Sequence, residues 1–410
     1  MAIVVQKYGA TVIGGAEALA RSVAGKLQSD LSWNVEILTT TSKDHMTWTN
    51  DFNEGLESDG PIVVRRFNNT MSRCSRSLSI LGRIINGMRR VGVSDQILSP
   101  LESMWVILQG PYCPSMTRYI EENKDQYDVF LFFCYLYYPT VGGLPLVHEK
   151  SIFLPLAHDE PPLRYHMFQN LLRCSRFIFA NTEPESTLIK SVSKSKHENI
   201  RIAGLGYDLT LPPKRSIDLL RNFLGPQESN AKYLLFLGRI DKGKGIQNII
   251  PFIDQWNEKH PESPLYFFLA GKVSEASDID LSSKWVRSLG YVNTEVKECL
   301  IQNAFALVNP SEFESLSIIV FESILAATPC IVNKRSNVLT YLAQNLSAVC
   351  EYETPNEFFA AIDEITKWRA SNELQDRILR SQNWIFDHYS WRKILNTYQQ
   401  AAEIIQNEKK

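Results

Sequence analysis

Short apolar runs alternate with amphipathic segments along most of the chain, and this alternation restricts the fold more than any other feature of the sequence. The runs are rich in β-branched and aromatic residues, which is typical of strands buried on both faces of a parallel sheet. In the first amphipathic segment, Leu19, Ala20, Val23 and Leu27 recur at helical spacing and form one apolar face. The alternation therefore predicts an α/β protein built from βαβ units.

The alternation is interrupted between residues 204 and 228, where glycine, proline and polar residues are frequent. We interpret this segment as a linker, so the sequence predicts two Rossmann-like domains, 1–205 and 206–390. The final segment, 391–410, has a helical pattern, and we consider that it completes the first domain. Strands are predicted at 2–6, 35–39, 62–67, 129–133, 152–156, 177–180, 233–237, 265–269, 304–308 and 330–332, and helices near 246–259, 317–327 and 391–406.

The composition agrees with this class of fold and argues against several others. A length of 410 residues with 44% hydrophobic content suits two or three folded domains. A net charge of −2 argues against a general nucleic-acid binder. The seven cysteines form no CxxC motif, and the N-terminus lacks the basic start and apolar run of a signal peptide. We therefore expect a cytoplasmic protein with no nucleic-acid partner.

The first candidate ligand site follows the strand predicted at 233–237. Gly238 and Arg239 come directly after this run, and Asp241, Lys244 and Gly245 follow. Ligands of open α/β sheets bind at the carboxyl ends of the strands. Arg239 and Lys244 would place two cations there, beside an anionic ligand. The alternative is a loop with two solvated basic residues, and this motif alone does not decide between the two.

The second candidate site is a polar loop between a strand and a helix, within residues 309–327. Ser315, Leu316 and Ser317 stand where the helix begins, and the free N–H groups of a helix N-terminus suit a phosphate. Glu314 and Glu322 would instead accept hydrogen bonds from sugar hydroxyls. The alternative is that both carboxylates are surface residues. The apolar neighbours of Glu322 argue against that alternative, because buried carboxylates are rare unless they are paired.

Several motifs, in a common order, resemble one enzyme family. They are GRIDKGKG (238–245), FLAGK (268–272), GYV (290–292) and NPSEFESLSIIVFE (309–322). These motifs resemble the retaining nucleotide-sugar glycosyltransferases of family 4, which have the GT-B fold, in which two Rossmann-like βαβ domains face a central cleft. The GGAE (14–17) and AHDEPP (157–162) segments resemble the first domain of that family. The family's E-x7-E pair falls on Glu314 and Glu322.

The resemblance implies a role for each candidate residue. The first domain would bind the acceptor, and the second would bind the donor, whose ribose hydroxyls Glu322 would hold. Glu314 would contact the donor sugar and is a predicted catalytic residue together with His158, which looks like the family's cleft histidine near the reacting sugar. A core or loop histidine is the alternative for His158, and Asp159 and Glu160 are weaker candidates. The residues assigned to the donor diphosphate are Arg239, Lys244, Gly14, Gly15, Ser315, Leu316 and Ser317.

The sequence departs from the family pattern at three positions. Ser315 and Ser317 stand where glycines are common, and Ala327 stands where a glycine is usual. Serine keeps the backbone N–H group, so we expect phosphate binding to survive the first two changes. We expect the change at Ala327 to affect helix–strand packing more than chemistry.

No metal or cofactor is expected besides the nucleotide-sugar co-substrate. Asp278 and Asp280 form a DxD pattern, which binds a divalent metal in the other large glycosyltransferase fold. Here the pattern lies in a polar stretch before a helix-like segment, where aspartates are more simply explained as helix caps. Arg239 and Lys244 already supply positive charge for a diphosphate.

A basic stretch between Arg65 and Arg90 contains seven arginines, and no acidic residue follows until Asp95. Apolar residues lie between these arginines, as in segments that bind anionic membrane surfaces. Our hypothesis is peripheral membrane contact with a lipid-linked acceptor. A flexible, solvated loop and helix is the alternative, which the sequence leaves equally open.

The resemblance predicts a retaining, metal-independent, hexosyltransferase-type enzyme. It would move a sugar from a UDP- or GDP-sugar to an acceptor hydroxyl of a glycan or lipid-linked acceptor in polysaccharide or glycoconjugate synthesis. One alternative is a nucleotide-sugar epimerase or a phosphorylase on the same fold. Another is a non-catalytic partner in a glycan assembly complex.

Overall fold

A computed structural model describes residues 1–12, 14–194, 199–273 and 279–408 of the protein. The chain divides into two compact units. The first consists of Met1–Gly206 together with Trp391–Lys410, and the second is Tyr207–Ser390. Each unit is a mostly or fully parallel sheet with helices, as the alternation of apolar runs predicts.

The first unit contains an eight-stranded sheet with the order β3-β4-β2-β1-β5-β6-β7-β8. All neighbouring strands are parallel except β3, which pairs antiparallel with β4 at the edge of the sheet. The strands are β1 (Ala2–Val4), β2 (Glu36–Thr40), β3 (Gly55–Asp59), β4 (Ile62–Phe67), β5 (Phe130–Phe133), β6 (Ser151–Leu154), β7 (Phe177–Ala180) and β8 (Ile200–Ile202).

Helices connect these strands and bury their apolar faces. They are α1 (Gly15–Leu31), α2 (Ser75–Arg90), α3 (Asp95–Gln109), α4 (Pro114–Asn123), α5 (Tyr138–Gly143), α6 (His166–Cys174) and α7 (Glu183–Ser193), with 3-10 turns at Lys124–Gln126, Leu144–Lys150 and Pro161–Arg164. The predicted apolar face of α1 is buried, at Leu19, Ala20, Val23 and Leu27.

The second unit contains a six-stranded, fully parallel sheet with the order β11-β10-β9-β12-β13-β14. Its helices in chain order are α8 (Ile217–Leu224), α9 (Pro226–Ser229), α10 (Ile246–Lys259), α11 (Thr294–Asn303), α12 (Ile318–Leu325), α13 (Asn337–Asn345), α14 (Pro355–Ala370) and α15 (Glu373–Tyr389). Its strands are β9 (Tyr233–Leu237), β10 (Tyr266–Ala270), β11 (Val286–Gly290), β12 (Ala306–Asn309), β13 (Cys330–Asn333) and β14 (Val349–Tyr352).

One short helix, α8, lies inside the segment interpreted as a linker, and a second, α9, begins within it. Ser216 caps α8, and its hydroxyl accepts a hydrogen bond from the Asp218 N–H. Leu220 and Leu224 are buried, so α8 packs into the second unit and the segment 204–228 is more than a linker. The sequence analysis missed this helix because it is only eight residues long and follows a stretch rich in glycine and proline.

The final helix, α16 (Trp391–Asn407), belongs to the first unit. Tyr398 is fully buried, and its ring meets that of Phe179 edge to face at 4.8 Å between centroids. Gly206 allows the chain to pass close to this helix, because a Cβ there would lie 2.6 Å from the Trp391 ring. Arg176 also pairs with Glu408, just beyond the end of α16.

The order of strands indicates where each sheet can bind a ligand. In the second unit, the chain leaves β9 toward β10 on one side and later places β12 on the other side. In the first unit, β1 lies between β2 and β5 in the same way. Ligands of open α/β sheets bind at the carboxyl ends of the strands where the order reverses.

Candidate functional site

The loops after β9 and β12 approach each other closely, and Gly245 makes this possible. Gly245 has a φ of 74°, and a Cβ there would lie 2.5 Å from the Pro310 carbonyl oxygen. Only glycine adopts that conformation without strain and leaves room for the neighbouring backbone. The close approach places Lys244 beside the loop that carries Glu314.

Lys244 and Glu314 form an ion pair, with 2.9 Å between Nζ and Oε1. Their side chains are 28% and 14% exposed, so the carboxylate is mostly removed from solvent and the lysine compensates its charge. The pair unites the predicted diphosphate cation with the predicted sugar-contacting carboxylate. Arg239 is more exposed, and its Nη2 lies 3.5 Å from Asp241 Oδ2.

The loop before α12 is held by hydrogen bonds from two asparagine side chains. Asn309 Nδ2 donates to Ser317 Oγ at 2.8 Å, and the Ser311 N–H donates to Asn309 Oδ1 at 3.1 Å. Asn333 Nδ2 donates to the Pro310 carbonyl at 3.0 Å. The first N–H groups of α12 have no acceptor within the helix. The side chain of Leu316 is buried, so this residue can offer a ligand only its backbone.

Glu322 lies in the last turn of α12 and pairs with Lys297 on α11, with 2.7 Å between Oε1 and Nζ. The carboxylate is 29% exposed, so it is partly accessible rather than deeply buried. The sequence reading inferred a buried carboxylate from its apolar neighbours and missed Lys297. Lys297 lies on α11, between the motifs at 290–292 and 309–322, so no motif marks it.

The structure gives a backbone reason for the family's glycines at 317 and 327. Ser317 has a φ of 66° and Ala327 a φ of 65°, and both values lie in the left-handed region that favours glycine. Ala327 follows the end of α12, where its N–H donates to the Ile324 carbonyl. Position 327 therefore also serves to terminate the helix, and the expectation that the change to alanine affects packing more than chemistry stays a prediction.

Gly14 and Gly15 of the first unit differ in their surroundings. A Cβ at Gly14 would lie 1.9 Å from Glu17 Oε2, so this glycine leaves space for the Glu17 side chain. Glu17 is buried, accepts a hydrogen bond from Gln6 Nε2 at 2.9 Å and pairs with Lys7 at 3.3 Å. A Cβ at Gly15 would meet no atom within 4 Å. Of the two glycines, Gly15 therefore has open space beside it.

His158 follows β6 in a turn of unusual backbone conformation. The residue is partly buried, and its carbonyl accepts a hydrogen bond from the Glu160 N–H at 2.8 Å. Its neighbours have protein partners: Asp159 pairs with Arg164 at 2.5 Å, and Glu160 accepts a hydrogen bond from the Tyr135 hydroxyl at 2.6 Å. These contacts give both carboxylates a structural explanation.

The described part of the DxD pattern, Asp280, forms a local turn. Asp278 lies outside the described residues. The Asp280 carboxylate accepts a hydrogen bond from the Ser282 N–H at 2.9 Å, and hydrogen bonds from Ser282 lower the pKa of Asp280. In the part of the chain that the structure describes, no group of three or more His, Cys, Asp and Glu side chains is arranged to hold a metal ion.

Comparisons with known proteins show a family match within the second unit. Residues 222–381 match the family described as Glycosyl transferases group 1, and this range contains Arg239, Lys244, Glu314 and Glu322. An uncharacterized glycosyltransferase of Methanocaldococcus jannaschii is 23% identical over 209 residues, which cover 48% of this chain and 52% of that protein. A D-inositol 3-phosphate glycosyltransferase of Arthrobacter sp. strain FB24 is 25% identical over 209 residues, covering 47% of this chain and 49% of its own. The chain thus spans about half the length of the curated relatives it matches.

Solved structures match over nearly the whole length. Sucrose-phosphate synthase from Thermosynechococcus elongatus has a TM-score of 0.68 at 13% identity and 98% coverage of both chains. Anabaena HepE in complex with UDP and glucose has a TM-score of 0.66 at 14% identity, also with 98% coverage of both chains. The chain therefore has the predicted GT-B fold, and most of its second unit matches the group 1 glycosyl transferases.

Proposed function

We propose that this protein is a retaining glycosyltransferase that moves a sugar from a nucleoside diphosphate sugar to an acceptor hydroxyl. The observation that carries the proposal is the Lys244–Glu314 ion pair, which joins the loops after the neighbouring strands β9 and β12. A second ion pair, Lys297–Glu322, connects α11 and α12. Both pairs lie within the range that matches the group 1 family. The Anabaena structure, which contains UDP and glucose, supports a nucleotide-sugar donor.

The Lys244–Glu314 pair suggests how the donor is accommodated. A diphosphate entering beside Arg239 would compete with Glu314 for Lys244, and the released carboxylate would then accept hydrogen bonds from the donor sugar. A hydrogen bond to a charged group contributes about 1.5–3 kcal/mol. The N–H groups at the start of α12 would add donors that need no rearrangement.

The same groups would act in the reaction. Charge develops on the diphosphate as the glycosidic bond breaks, and Arg239, Lys244 and the α12 N-terminus would stabilise it. These groups supply the positive charge without a metal ion. Retention follows from the family resemblance, and no residue is assigned as a nucleophile. The roles of Gly14, Gly15 and His158 of the first unit remain predictions from that resemblance.

A panel of nucleotide sugars tests the proposal. Unfolding of the protein would be followed in the presence of UDP-, GDP- and ADP-sugars, with the free sugars as controls. A true donor at 100 times its Kd should stabilise the fold by about 2.7 kcal/mol. The stabilising donor would then be incubated alone and with candidate acceptors. An epimerised sugar formed without acceptor would contradict transfer, and binding without any product would favour a non-catalytic partner.

We further propose that α2 brings the protein to an anionic membrane surface that carries its acceptor. Four of the seven arginines predicted for this surface are engaged elsewhere: Arg65 pairs with Glu36, Arg66 is buried against Glu57, Arg73 donates to Gln109, and Arg89 pairs with Asp95 and Glu102. The arginines that remain available to a membrane therefore all lie on α2.

The three remaining arginines, Arg76, Arg83 and Arg90, lie seven residues apart on the outer face of α2. None forms an ion pair with a described residue. Ile80 and Ile84 beside them are 54% and 47% exposed. Exposed apolar residues beside arginines are typical of helices that lie on anionic lipid. No helix among the described residues is long and apolar enough to cross a bilayer.

Vesicle co-sedimentation tests this proposal. Each arginine near an anionic surface contributes about 1 kcal/mol, so replacing Arg76, Arg83 and Arg90 with serine should weaken binding to anionic vesicles by about 100-fold. A variant with serine at the exposed residues Arg118, Arg380 and Arg392 removes the same charge outside α2 and should bind as wild type does. Equal binding of the two variants would contradict the proposal.

A further inference from the structure

A buried carboxylate, Glu185, joins the ends of two neighbouring strands in the first unit. The side chain is 1% exposed and stands in the first turn of α7. Its Oε1 accepts a hydrogen bond from the Ala157 N–H at 2.6 Å. Its Oε2 accepts hydrogen bonds from the Asn181 N–H at 2.7 Å and from Asn181 Nδ2 at 3.1 Å. Both oxygens are thus used as acceptors, one toward the residue before His158.

The turn that Glu185 contacts is strained. Leu156 has a φ of 52°, a left-handed conformation that a leucine rarely adopts. Such a conformation persists only where surrounding contacts enforce it, and it is frequent at functional sites. On one side the Pro155 carbonyl accepts a hydrogen bond from the Tyr135 N–H at 3.0 Å. On the other side, the bond from Ala157 to Glu185 fixes the direction in which the chain enters His158.

Helix capping accounts for only part of this arrangement. Thr182 and Glu185 have the spacing of a capping box, in which the glutamate accepts hydrogen bonds from backbone at the start of its own helix. Glu357 does this at α14, where it accepts from the N–H groups of Glu353 and Thr354. Glu185 additionally binds Ala157, which follows a different strand. That bond is not needed to begin α7.

We propose that Glu185 is a positioning residue that fixes the backbone on which His158 is presented to the substrate. The proposal rests on the proposed function, since it gives Glu185 a role through His158. A carboxylate suits this task because both of its oxygens accept, whereas a glutamine would turn an NH₂ group toward one of the two N–H donors.

Burying the Glu185 carboxylate costs free energy, which is consistent with a functional reason for its position. Burial raises the pKa of Glu185 to about 7, although the hydrogen bonds from Asn181 and Ala157 lower it. The titratable neighbour at the next strand end is Cys134, whose pKa burial raises to about 12, with contributions from the charges of Glu17, Glu160 and Glu185. On the other elements packed against α7, the ionisable groups are His166, Arg173 and Cys174 of α6 and Arg201 of β8.

Hydrogen–deuterium exchange of the full-length protein tests the contact directly. In Glu185→Gln, exchange in a peptide covering 155–160 should rise by at least about tenfold, because the Ala157 N–H loses its charged acceptor. Glu183→Gln removes a charge from the same turn of α7 at an exposed position and should leave this peptide unchanged. Wild-type exchange in Glu185→Gln would overturn the proposal. If Glu185→Gln does not fold, Glu185→Asp, which is too short to reach both donors, provides the same measurement.

Kinetics then test the link to His158. With the donor identified above, Glu185→Gln should lower kcat by at least about tenfold, because a misplaced catalytic group lowers kcat by that much or more. The donor KM should stay within about twofold, since none of the residues assigned to the donor diphosphate or ribose lies in the turn that Glu185 contacts. An unchanged kcat despite faster exchange would overturn the positioning role. If the wild-type protein transfers no sugar, the proposed function fails, and the exchange result still decides whether Glu185 fixes the turn.

Discussion

The two units hold their carboxylates in different ways. In the second unit, Glu314 and Glu322 each pair with a lysine and remain 14% and 29% exposed. In the first unit, Glu185 is 1% exposed and binds backbone N–H groups. A partly exposed ion pair contributes little to stability, so a ligand can replace one partner at low cost. A buried carboxylate cannot leave its donors without leaving them unsatisfied, so it fixes the backbone instead.

The largest effect is expected from removing Lys244, which forms an ion pair with Glu314. Lys244→Ala removes a cation that the donor would recruit and should lower kcat/KM for transfer by about 10²–10³-fold, as the loss of one preorganised charge donor does in other enzymes. Lys242→Ala, two residues away in the same turn, is the matched control and should have a much smaller effect. Equal turnover of Lys244→Ala and wild type would refute the assignment of the diphosphate site.

The pH dependence of stability should distinguish the buried Glu185, by its sign, from an exposed carboxylate that also accepts hydrogen bonds from backbone N–H groups. Burial raises the pKa of Glu185 from 4.5 to about 7, so the folded state holds this proton more tightly than the unfolded state does. The stability of the wild type relative to Glu185→Gln should therefore fall between pH 4.5 and 7, by about 3 kcal/mol. Urea unfolding of both proteins at pH 4, 5.5 and 7.5 measures the difference.

Glu357 supplies the opposite case in the same experiment. Backbone hydrogen bonds from Glu353 and Thr354 lower its pKa, so its contribution to stability is present above the unfolded pKa and is lost as the pH falls. Relative to Glu357→Gln, the wild type should lose stability toward acid. Slopes of the same sign for Glu185 and Glu357 would show that burial does not dominate at Glu185.

A smaller effect is expected at the second ion pair. Glu322→Gln removes a charged acceptor from the predicted ribose site and should weaken donor binding by about 10- to 100-fold. Calorimetric titration with the stabilising nucleoside diphosphate measures this change. Glu295→Gln removes a charge from an exposed position on α11 and should bind as wild type does. If instead Glu322→Gln binds normally while Lys297→Met binds poorly, the lysine would be the ligand and Glu322 its support.

How much of the fold the sequence could predict depends on how strongly burial patterns each element. The predicted strands at 62–67, 177–180 and 233–237 coincide with β4, β7 and β9, and the helix at 246–259 coincides with α10. Buried central strands and amphipathic helices have strong periodic patterns. The edge strand β3 was missed because its sequence, GLESD, is mostly exposed and contains a single apolar residue.

Site residues also differ in how well a local sequence pattern marks them. Arg239, Lys244 and Glu314 could be proposed as site residues because they follow strand ends in recognisable motifs, and Glu322 because it follows Glu314 at the family's E-x7-E spacing. Glu185 could not be identified, because its T-x-x-E spacing predicts a helix cap and its bond to Ala157 depends on the tertiary structure. Side chains that act on backbone have no fixed sequence distance to their partners.

The smallest predicted effect concerns backbone strain beside the second unit's site. Ala327 has a φ of 65°, so Ala327→Gly should remove steric strain, which exceeds the entropy that glycine adds to the unfolded chain, and should stabilise the protein by about 0.5–1 kcal/mol. Ser317→Gly relieves a similar φ but removes the hydroxyl that accepts from Asn309, so its gain should be smaller or absent. Urea unfolding of both variants measures the difference. A larger gain at 317 than at 327 would mean that the Asn309 contact contributes nothing to the loop, and that the α12 N-terminus is less rigid than a preorganised phosphate site requires.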